Sequence, residues 1–128
     1  MDITMFKEIH PILGTRDLEQ ALDFYIQRLG FALAFRDHSG PSNYAGVRRD
    51  SVELHFQWQD ESEMSTTRLR FLVEDPDGLF AEYRDKQVFH DRTRLADTPW
   101  RTREFAFYDP DGNALTFYRD LKKSEARK

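Results

Sequence analysis

Two kinds of hydrophobic spacing alternate along the chain, and the first kind marks two helices. Apolar residues recur at helical spacing in TRDLEQALDFYIQRLG and again in VEDPDGLFAEYRDK. The first stretch begins with Asp17, a good N-cap with Gln20 completing a capping box, and ends at Gly30, a good C-cap. The second begins with Asp75, and Pro76 suits its first helical position because proline lacks the N–H group. The pattern therefore predicts one helix after each aspartate.

Stretches with strand-like spacing surround these two helices. One such stretch precedes each helix, and three follow it. After the first helix they are FALAFRD, NYAGVRR and SVELHFQ, and after the second they are a weak one near QVFH, then REFAFY and NALTFY. In SVELHFQ the apolar and polar residues alternate strictly, as in a strand with one buried face. The order of elements is βαβββ, twice.

The two βαβββ units form a repeat with an offset of 58 residues. HPILGTRD aligns with RLRFLVED without a gap, and Tyr25 and Tyr83 follow their capping aspartates at the same distance. The tetrapeptide DPDG also occurs twice, but its first copy starts the second helix, whereas its second copy, 109–112, suits a turn between the last two strands. The repeat therefore lies in the elements and not in the tetrapeptide.

The repeat predicts an α+β fold made of two βαβββ modules, at about residues 5–58 and 66–119. We expect one domain, residues 1–121, followed by a basic tail at 122–128. Neither module can cover a sheet face alone. The modules should therefore pair, within the chain or across a homodimer, into curved mixed sheets that enclose a concave groove.

Composition narrows the function. The absence of cysteine excludes disulfides, thiolate metal sites and cysteine nucleophiles. A net charge of −4 with scattered basic residues argues against nucleic acid and suits a cationic ligand. The N-terminal stretch lacks a secretory pattern, and no segment approaches membrane-spanning length, so a cytoplasmic location and no membrane partner are expected. Eleven Phe, five Tyr and two Trp either fill the core or bind something flat.

Four segments resemble the vicinal oxygen chelate superfamily and, within it, the bleomycin resistance proteins. They are DFYIQRLGFALAFRD (23–37), YAGVRRDSVELHF (44–56), VEDPDGLFAEY (73–83) and REFAFYDPDGNALTFY (103–118). The second segment and Trp100, nine residues before the turn Asp109, are similar to the drug-binding branch in particular. The loop HSGPSN is longer than in that branch, and RDKQVFHDRTRLAD matches it poorly.

The resemblance raises the question of a metal, because some superfamily members hold one in a groove through four ligands. The matching positions are His10, Glu53, Arg68 and Thr116. Arg68 has no lone pair to give and Thr116 is a poor neutral ligand, so we expect no metal, no cofactor and no catalytic residue. Arg68 is then expected to pair with Glu53 across the groove floor. The alternative is a glyoxalase- or dioxygenase-like enzyme in which His55, on the strand face of Glu53, completes a displaced site.

The resemblance also implies a ligand site at grooves between two subunits. In the bleomycin resistance proteins the planar bithiazole tail of the drug stacks between aromatic rings, and acidic residues meet its positive charge. Phe35 and Trp100 match the stacking pair, and Tyr44 matches another ring of the groove. Phe35 could instead be a core ring. Asp60 and Glu61, in the loop QDESEM, either attract the cation or form an ordinary solvated linker.

These observations predict a homodimeric protein that binds and sequesters a planar, cationic glycopeptide antibiotic of the bleomycin type. No bond is made or broken in this function, so it requires tight binding and enough protein to match the drug. Two alternatives stay open: the metal-dependent enzyme with a displaced site, and a binder of another aromatic small molecule, because a fold does not fix its ligand.

Overall fold

The computed structural model describes residues 3–37 and 43–125. The first module consists of β1 (Ile12–Thr15), α1 (Leu18–Asp23), β2 (Ala32–Arg36), β3 (Tyr44–Arg49) and β4 (Val52–Trp58). A π-helical turn, Phe24–Arg28, continues α1. Most of the long loop HSGPSN, residues 38–42, lies outside the described residues.

A short 3₁₀ turn, Glu61–Glu63, leads into the second module. This module consists of β5 (Arg68–Leu72), α2 (Pro76–Tyr83), β6 (Ala96–Asp97), β7 (Thr102–Tyr108) and β8 (Ala114–Asp120). The exact domain bounds and the basic tail stay predictions, since residues 126–128 are outside the described part. Within residues 3–37 and 43–125, no helix has the length and apolar character needed to cross a membrane.

Each module forms one four-stranded sheet with the same connectivity. The strand orders are β1-β4-β3-β2 and β5-β8-β7-β6. The first pair of each sheet is parallel, with its helix as the crossover, and the other pairs are antiparallel. The predicted α+β fold of two βαβββ modules with mixed sheets is confirmed.

Both helices begin where the capping residues predict. The Asp17 carboxylate accepts a hydrogen bond from the backbone N–H of Gln20 at 3.0 Å, and Asp75 accepts one from Gly78 at 3.0 Å. Pro76 is the first residue of α2. The second DPDG copy turns the chain between β7 and β8, where Gly112 has a φ of +87°. The two copies of the tetrapeptide therefore have different structural roles, as predicted.

The weak strand predicted near QVFH is wrong. The first strand after α2 is instead β6, at Ala96–Asp97, which pairs with β7. Gln87 has a φ of +60° and ends the helical segment, and the apolar residues after it turn inward instead of extending. Val88 is buried, and Phe89 stacks on Phe80 of α2 with ring centroids 4.7 Å apart. Burial of these apolar side chains under the sheet outweighs their strand propensity.

The core lies between the helices and the sheets and is rich in aromatic rings. Phe105, Phe107 and Phe117 stack on one another across β7 and β8, with centroids 5.3 to 6.3 Å apart. Phe24, from the π-helical turn of the first module, meets Phe107 edge-on at 6.5 Å. Most of the eleven phenylalanines predicted to fill a core or line a binding surface therefore serve the core, and both modules share it.

The two repeat-related tyrosines each reach into the other module. Tyr25 donates a hydrogen bond to the Asp109 carboxylate at 2.7 Å. Tyr83 donates one to the Leu29 carbonyl at 2.8 Å and accepts one from Arg49 at 3.2 Å. Both rings are fully buried. The modules are thus joined by reciprocal buried hydrogen bonds as well as by ring packing.

These tyrosines predict loss of stability in alkali. Burial raises the pKa of Tyr25 and of Tyr83 well above the usual value, and for Tyr25 the neighbouring Asp109 carboxylate raises it further. An unfolded tyrosine titrates near pH 10 while the folded one keeps its proton, so unfolding then releases protons. The free energy of unfolding should fall as the pH rises above about 10, by up to about 1.4 kcal/mol per pH unit for each tyrosine.

Urea unfolding at a series of pH values from 9 to 11 measures this slope. Tyr25→Phe should make the slope shallower, because only one of the two buried phenols then remains. Tyr108→Phe removes the hydroxyl of an exposed tyrosine and serves as the control. Equal slopes for Tyr25→Phe and the unaltered chain would contradict the assignment.

Candidate functional site

Each sheet packs one face against the core and leaves the other open. On β4, Leu54 and Phe56 are buried, and Glu53 and His55 point to the opposite side. On β8, Leu115 and Phe117 are buried and Thr116 is on the opposite side. The first-module face comprises Phe35, Tyr44, Gly46, Arg48, Glu53 and His55. The second-module face comprises Arg68, Arg70, Glu104, Thr116 and Tyr118.

The predicted aromatic residues of the first module meet on its open face. The rings of Phe35 and Tyr44 stack with centroids 6.0 Å apart, and Phe35 meets His55 edge-on at 5.1 Å. Phe35 is 39% exposed and is not part of the core, whereas Phe31 is 6% exposed. The geometry favours the groove interpretation of Phe35 over the core one, and its ligand contact stays a prediction.

Gly46 allows this arrangement, and the sequence reasoning did not single it out. Phe35, Gly46 and His55 are register partners in one row across β2, β3 and β4. A Cβ atom at Gly46 would overlap the Phe35 ring. Glycine inside a strand often marks such a close approach, so the pattern YAGVRR carried a usable signal.

A charged cluster lies beside these rings. The Glu53 Oε2 atom is 2.8 Å from His55 Nε2 and 3.7 Å from His10 Nε2. The other oxygen, Oε1, accepts hydrogen bonds from Arg48 Nε at 3.2 Å and NH2 at 2.9 Å. The hydrogen bond with His55, followed by that from Arg48, holds the pKa of Glu53 below its usual value.

The structure also explains why His10 joins this cluster although it precedes β1. The Pro11 carbonyl accepts a hydrogen bond from the His55 N–H at 3.0 Å, which extends the parallel ladder of β1 and β4 by one step. The His10 ring then stacks on the His55 ring with centroids 4.6 Å apart. His10 and Glu53 also line a cavity of about 430 Å³ together with Arg70 and Leu72 of the second module.

The expected Arg68–Glu53 pair is not formed within the single chain. Arg48 and Glu53 are register partners on β3 and β4, so the carboxylate is already bonded by its cross-strand neighbour. Arg68 is exposed on β5, and among the described residues no hydrogen bond or ion pair joins it to Glu53. Arg48, a nearer cation on the same sheet, pairs with Glu53 instead of Arg68.

The second-module face orients Trp100 through a residue that the sequence reasoning missed. The Trp100 indole N–H donates to Glu104 Oε1 at 3.2 Å, and the same oxygen accepts from Thr102 Oγ1 at 2.6 Å and from Arg70 at 3.2 Å. The Arg70 guanidinium lies 4.2 Å from the centroid of the Tyr118 ring. Strand alternation could have identified these polar residues, because it places them on the sheet face opposite the core phenylalanines of β7 and β8.

The predicted ligand-binding residues are not all brought together in the single chain. Trp100 is 61% exposed, and within residues 3–37 and 43–125 its ring does not contact Phe35. Asp60 accepts a hydrogen bond from Ser62 N–H at 3.2 Å and caps the 3₁₀ turn, and Glu61 is exposed in that turn. This geometry is that of a solvated turn, and attraction of a cationic ligand by the two acids stays a prediction.

Comparison with known proteins identifies the family. Residues 8–117 match the Glyoxalase/Bleomycin resistance protein/Dioxygenase superfamily. The chain belongs to this superfamily. The predicted kinship is therefore confirmed, and the match runs through both modules and both open faces.

Relatives with bleomycin-related names are similar along almost their whole length. The bleomycin resistance proteins of Geobacillus stearothermophilus and Staphylococcus aureus are 27% identical over 130 residues, which cover 88% of this chain and 96% of theirs. A bleomycin-binding protein from bleomycin-producing Streptomyces verticillus, solved with copper(II)-bleomycin, is 28% identical with a TM-score of 0.73; the match covers 94% of this chain and 100% of that one. TioX from Micromonospora shares the fold at 20% identity, with a TM-score of 0.77 and coverage of 91% of this chain and 100% of that one.

The four-ligand metal site found in some superfamily members does not fit this chain. The third position is Arg68, whose guanidinium cannot coordinate a cation, and the fourth is Thr116, a neutral hydroxyl. Thr116 is also the register partner of Arg70, so a second guanidinium is its strand neighbour. No reaction step can be derived from that quartet here.

Proposed function

We propose that this protein binds and sequesters a planar, cationic glycopeptide drug of the bleomycin type without changing it chemically. The observation that carries the proposal is the stacked Phe35–Tyr44 pair on an open sheet face, together with the exposed Trp100 held by Glu104. The relatives named as bleomycin resistance and bleomycin-binding proteins support it. Protection by this route is mass action, so it depends on affinity and on the amount of protein.

The physical fit is between flat rings and a flat ligand. Stacking adds about 0.5–1.5 kcal/mol per ring pair beyond the burial of area. A ligand held between two aromatic walls, Phe35 with Tyr44 on one side and Trp100 on the other, gains from each. The hydrogen bond to Glu104 fixes the edge of the Trp100 indole, and the residue is 61% exposed. Glu8 and Glu53 on the first module and the net charge of −4 suit a cationic ligand.

The proposal includes a homodimer, because one chain does not bring its two walls together. Phe35 and Trp100 lie on different modules and do not contact each other in the described part of the chain. In addition, Ile3, Met5, Phe6 and Ile9 in the N-terminal segment are all more than three-quarters exposed. Each groove is then lined by the first-module face of one subunit and the second-module face of its partner, in a cytoplasmic protein.

A tryptophan fluorescence titration tests the function. Chelator-treated protein is titrated with metal-free bleomycin at low salt. We expect saturable quenching with one drug per chain, because the bithiazole stacks on Trp100. Trp100→Ala should abolish the quenching, and Trp58→Phe should leave it intact, since the Trp58 indole donates to the Arg16 carbonyl and lies against the Arg16 guanidinium.

Calorimetry on the same variants separates loss of signal from loss of binding. Trp100→Ala should weaken binding by about 10- to 100-fold, as expected for an aromatic anchor worth about 1–3 kcal/mol. An unaltered protein that shows no saturable change up to high micromolar drug would sink the bleomycin proposal. Screening of other aromatic cations would then follow, because the stacked rings would still call for a flat ligand.

A further inference from the structure

The strongest unassigned chemistry in the molecule is the cluster of His10, Glu53 and His55. Among the described residues it is the only group of three or more potential ligand side chains whose donor atoms come close enough to share one ion. Those atoms all lie within 4.8 Å of one another. We propose that this protein binds a divalent transition-metal ion through these three residues, at a site contained in the first module.

The separations are those of a site that needs only small side-chain shifts. Zinc binds His nitrogen at about 2.0–2.1 Å and carboxylate oxygen at about 2.0–2.2 Å, so ligand atoms around a tetrahedral ion lie about 3.4 Å apart. Glu53 Oε2 is 2.8 Å from His55 Nε2 and 3.7 Å from His10 Nε2. The two imidazole rings are stacked 4.6 Å apart, and both Nε2 atoms lie within 3.7 Å of that oxygen.

The groups around the triad hold its ligand atoms in useful orientations. The Tyr44 hydroxyl is 2.9 Å from His55 Nδ1. When Nδ1 carries the ring proton and donates it to this hydroxyl, Nε2 has the lone pair, and a metal bound there replaces the hydrogen bond between Nε2 and Glu53. Of the two Glu53 oxygens, Arg48 donates only to Oε1. The Oε2 atom therefore faces the histidines. Its positive charge weakens the attraction for a cation, but it also fixes the carboxylate.

Partial burial and a fourth oxygen close to the triad also favour metal binding. The side chains of His10, Glu53 and His55 are 30%, 15% and 14% exposed, so an ion has access while the ligands are packed. Glu8 Oε1 is 2.7 Å from His10 Nε2 and provides a fourth oxygen close by. Two imidazoles and one carboxylate favour Zn²⁺, Ni²⁺ or Cu²⁺ over Mg²⁺ or Ca²⁺.

This site differs from the superfamily quartet in its architecture. The quartet needs one ligand pair from each module, and here the second module offers Arg68 and Thr116 at those positions. The triad takes all its ligands from the first module, with His55 in place of the second-module pair. The triad lies on the same open face as Phe35 and Tyr44, and the two proposals are tested separately, because drug binding is measured on chelator-treated protein and zinc binding without the drug.

Zinc titration of the chelator-treated full chain tests the proposal. Calorimetry should show one Zn²⁺ per chain, and His55→Phe, His10→Phe and Glu53→Gln should each raise the dissociation constant at least tenfold. His90→Phe, a histidine of the second module that lies against Tyr108, and Thr116→Ala should change it less than twofold. Tyr44→Phe should weaken binding about 10-fold, because it frees the His55 ring without removing a ligand.

A measurement on the unaltered protein does not depend on the variants folding. Long-range nitrogen–proton spectra of the histidine side chains should show zinc-dependent shifts at Nε2 of His10 and His55 and none at His90. Absence of saturable zinc binding up to about 1 mM would overturn the proposal. So would full binding in a folded His55→Phe variant, one ion shared by two chains, or loss of binding in Thr116→Ala.

Discussion

Asp109→Ala is expected to lower the free energy of unfolding by about 3–5 kcal/mol. The Asp109 carboxylate is buried at 6% exposure. It accepts hydrogen bonds from the backbone N–H groups of Asp111 and Asn113, both at 2.9 Å, from the Asn113 side chain at 2.8 Å and from Tyr25 at 2.7 Å. Removal of the carboxylate leaves these donors unpaired, and each unpaired buried group costs about 1–3 kcal/mol. Water entering the space left by the carboxylate offsets part of this total cost.

Urea unfolding at neutral pH measures this loss, with Asp111→Ala as the control in the same turn. The Asp111 carboxylate is held more weakly, by a contact 3.5 Å from the Arg16 N–H and by a hydrogen bond with the Thr15 side chain, so its removal should cost less than about 1 kcal/mol. Tyr25→Phe should be additive with Asp111→Ala but not with Asp109→Ala, because Tyr25 and Asp109 share a bond. A loss below about 1 kcal/mol for Asp109→Ala would show that the modules are not held together at this point.

A mixture of two inactive variants is expected to recover drug binding. Phe35→Ala and Trp100→Ala each remove one wall and should each weaken binding by about 10- to 100-fold. If every groove takes Phe35 from one subunit and Trp100 from the other, a mixed dimer contains one intact groove and one doubly altered groove. After subunit exchange in an equal mixture, half of the dimers are mixed, so about a quarter of all grooves should bind at full strength.

The matched control pairs two variants of the same wall. Phe35→Ala and Tyr44→Ala both alter the first-module face, so every groove of their mixture lacks one ring and no recovery is expected. Calorimetry with metal-free bleomycin counts the restored sites, and sedimentation gives the oligomeric state. No recovery in the Phe35→Ala and Trp100→Ala mixture, from proteins that do exchange subunits, would contradict a groove built between subunits.

Helix boundaries and the modular repeat were predictable because they depend on local chemistry. Asp17 and Asp75 cap helices through bonds to residues three positions ahead, and Pro76 and Gly112 have backbone preferences of their own. The sixth strand was misplaced for the opposite reason. Val88 and Phe89 have the composition of a strand, but packing of Phe89 on Phe80 of α2 decides their conformation, and no local pattern reports that contact.

The candidate site shows the same division. The residue types that bind flat or charged ligands, Phe35, Tyr44, Glu53, His55 and Trp100, could be selected from sequence because their chemistry is intrinsic. Their partners could not. Glu53 is paired with Arg48 and not with Arg68, because strand register places Arg48 opposite it. Trp100 is oriented by Glu104 because Glu104 lies on the open side of β7.

The sequence alone determined the two βαβββ modules, the caps of their helices and the set of side chains from which a site can be built, since these follow from periodicity and from the properties of single residues. Only the tertiary structure decided how the modules join through Tyr25 and Tyr83. It alone brought His10 onto His55 and kept Phe35 and Trp100 on separate faces. Such relations depend on distances between residues far apart in the chain, which are fixed only when register and packing are satisfied together.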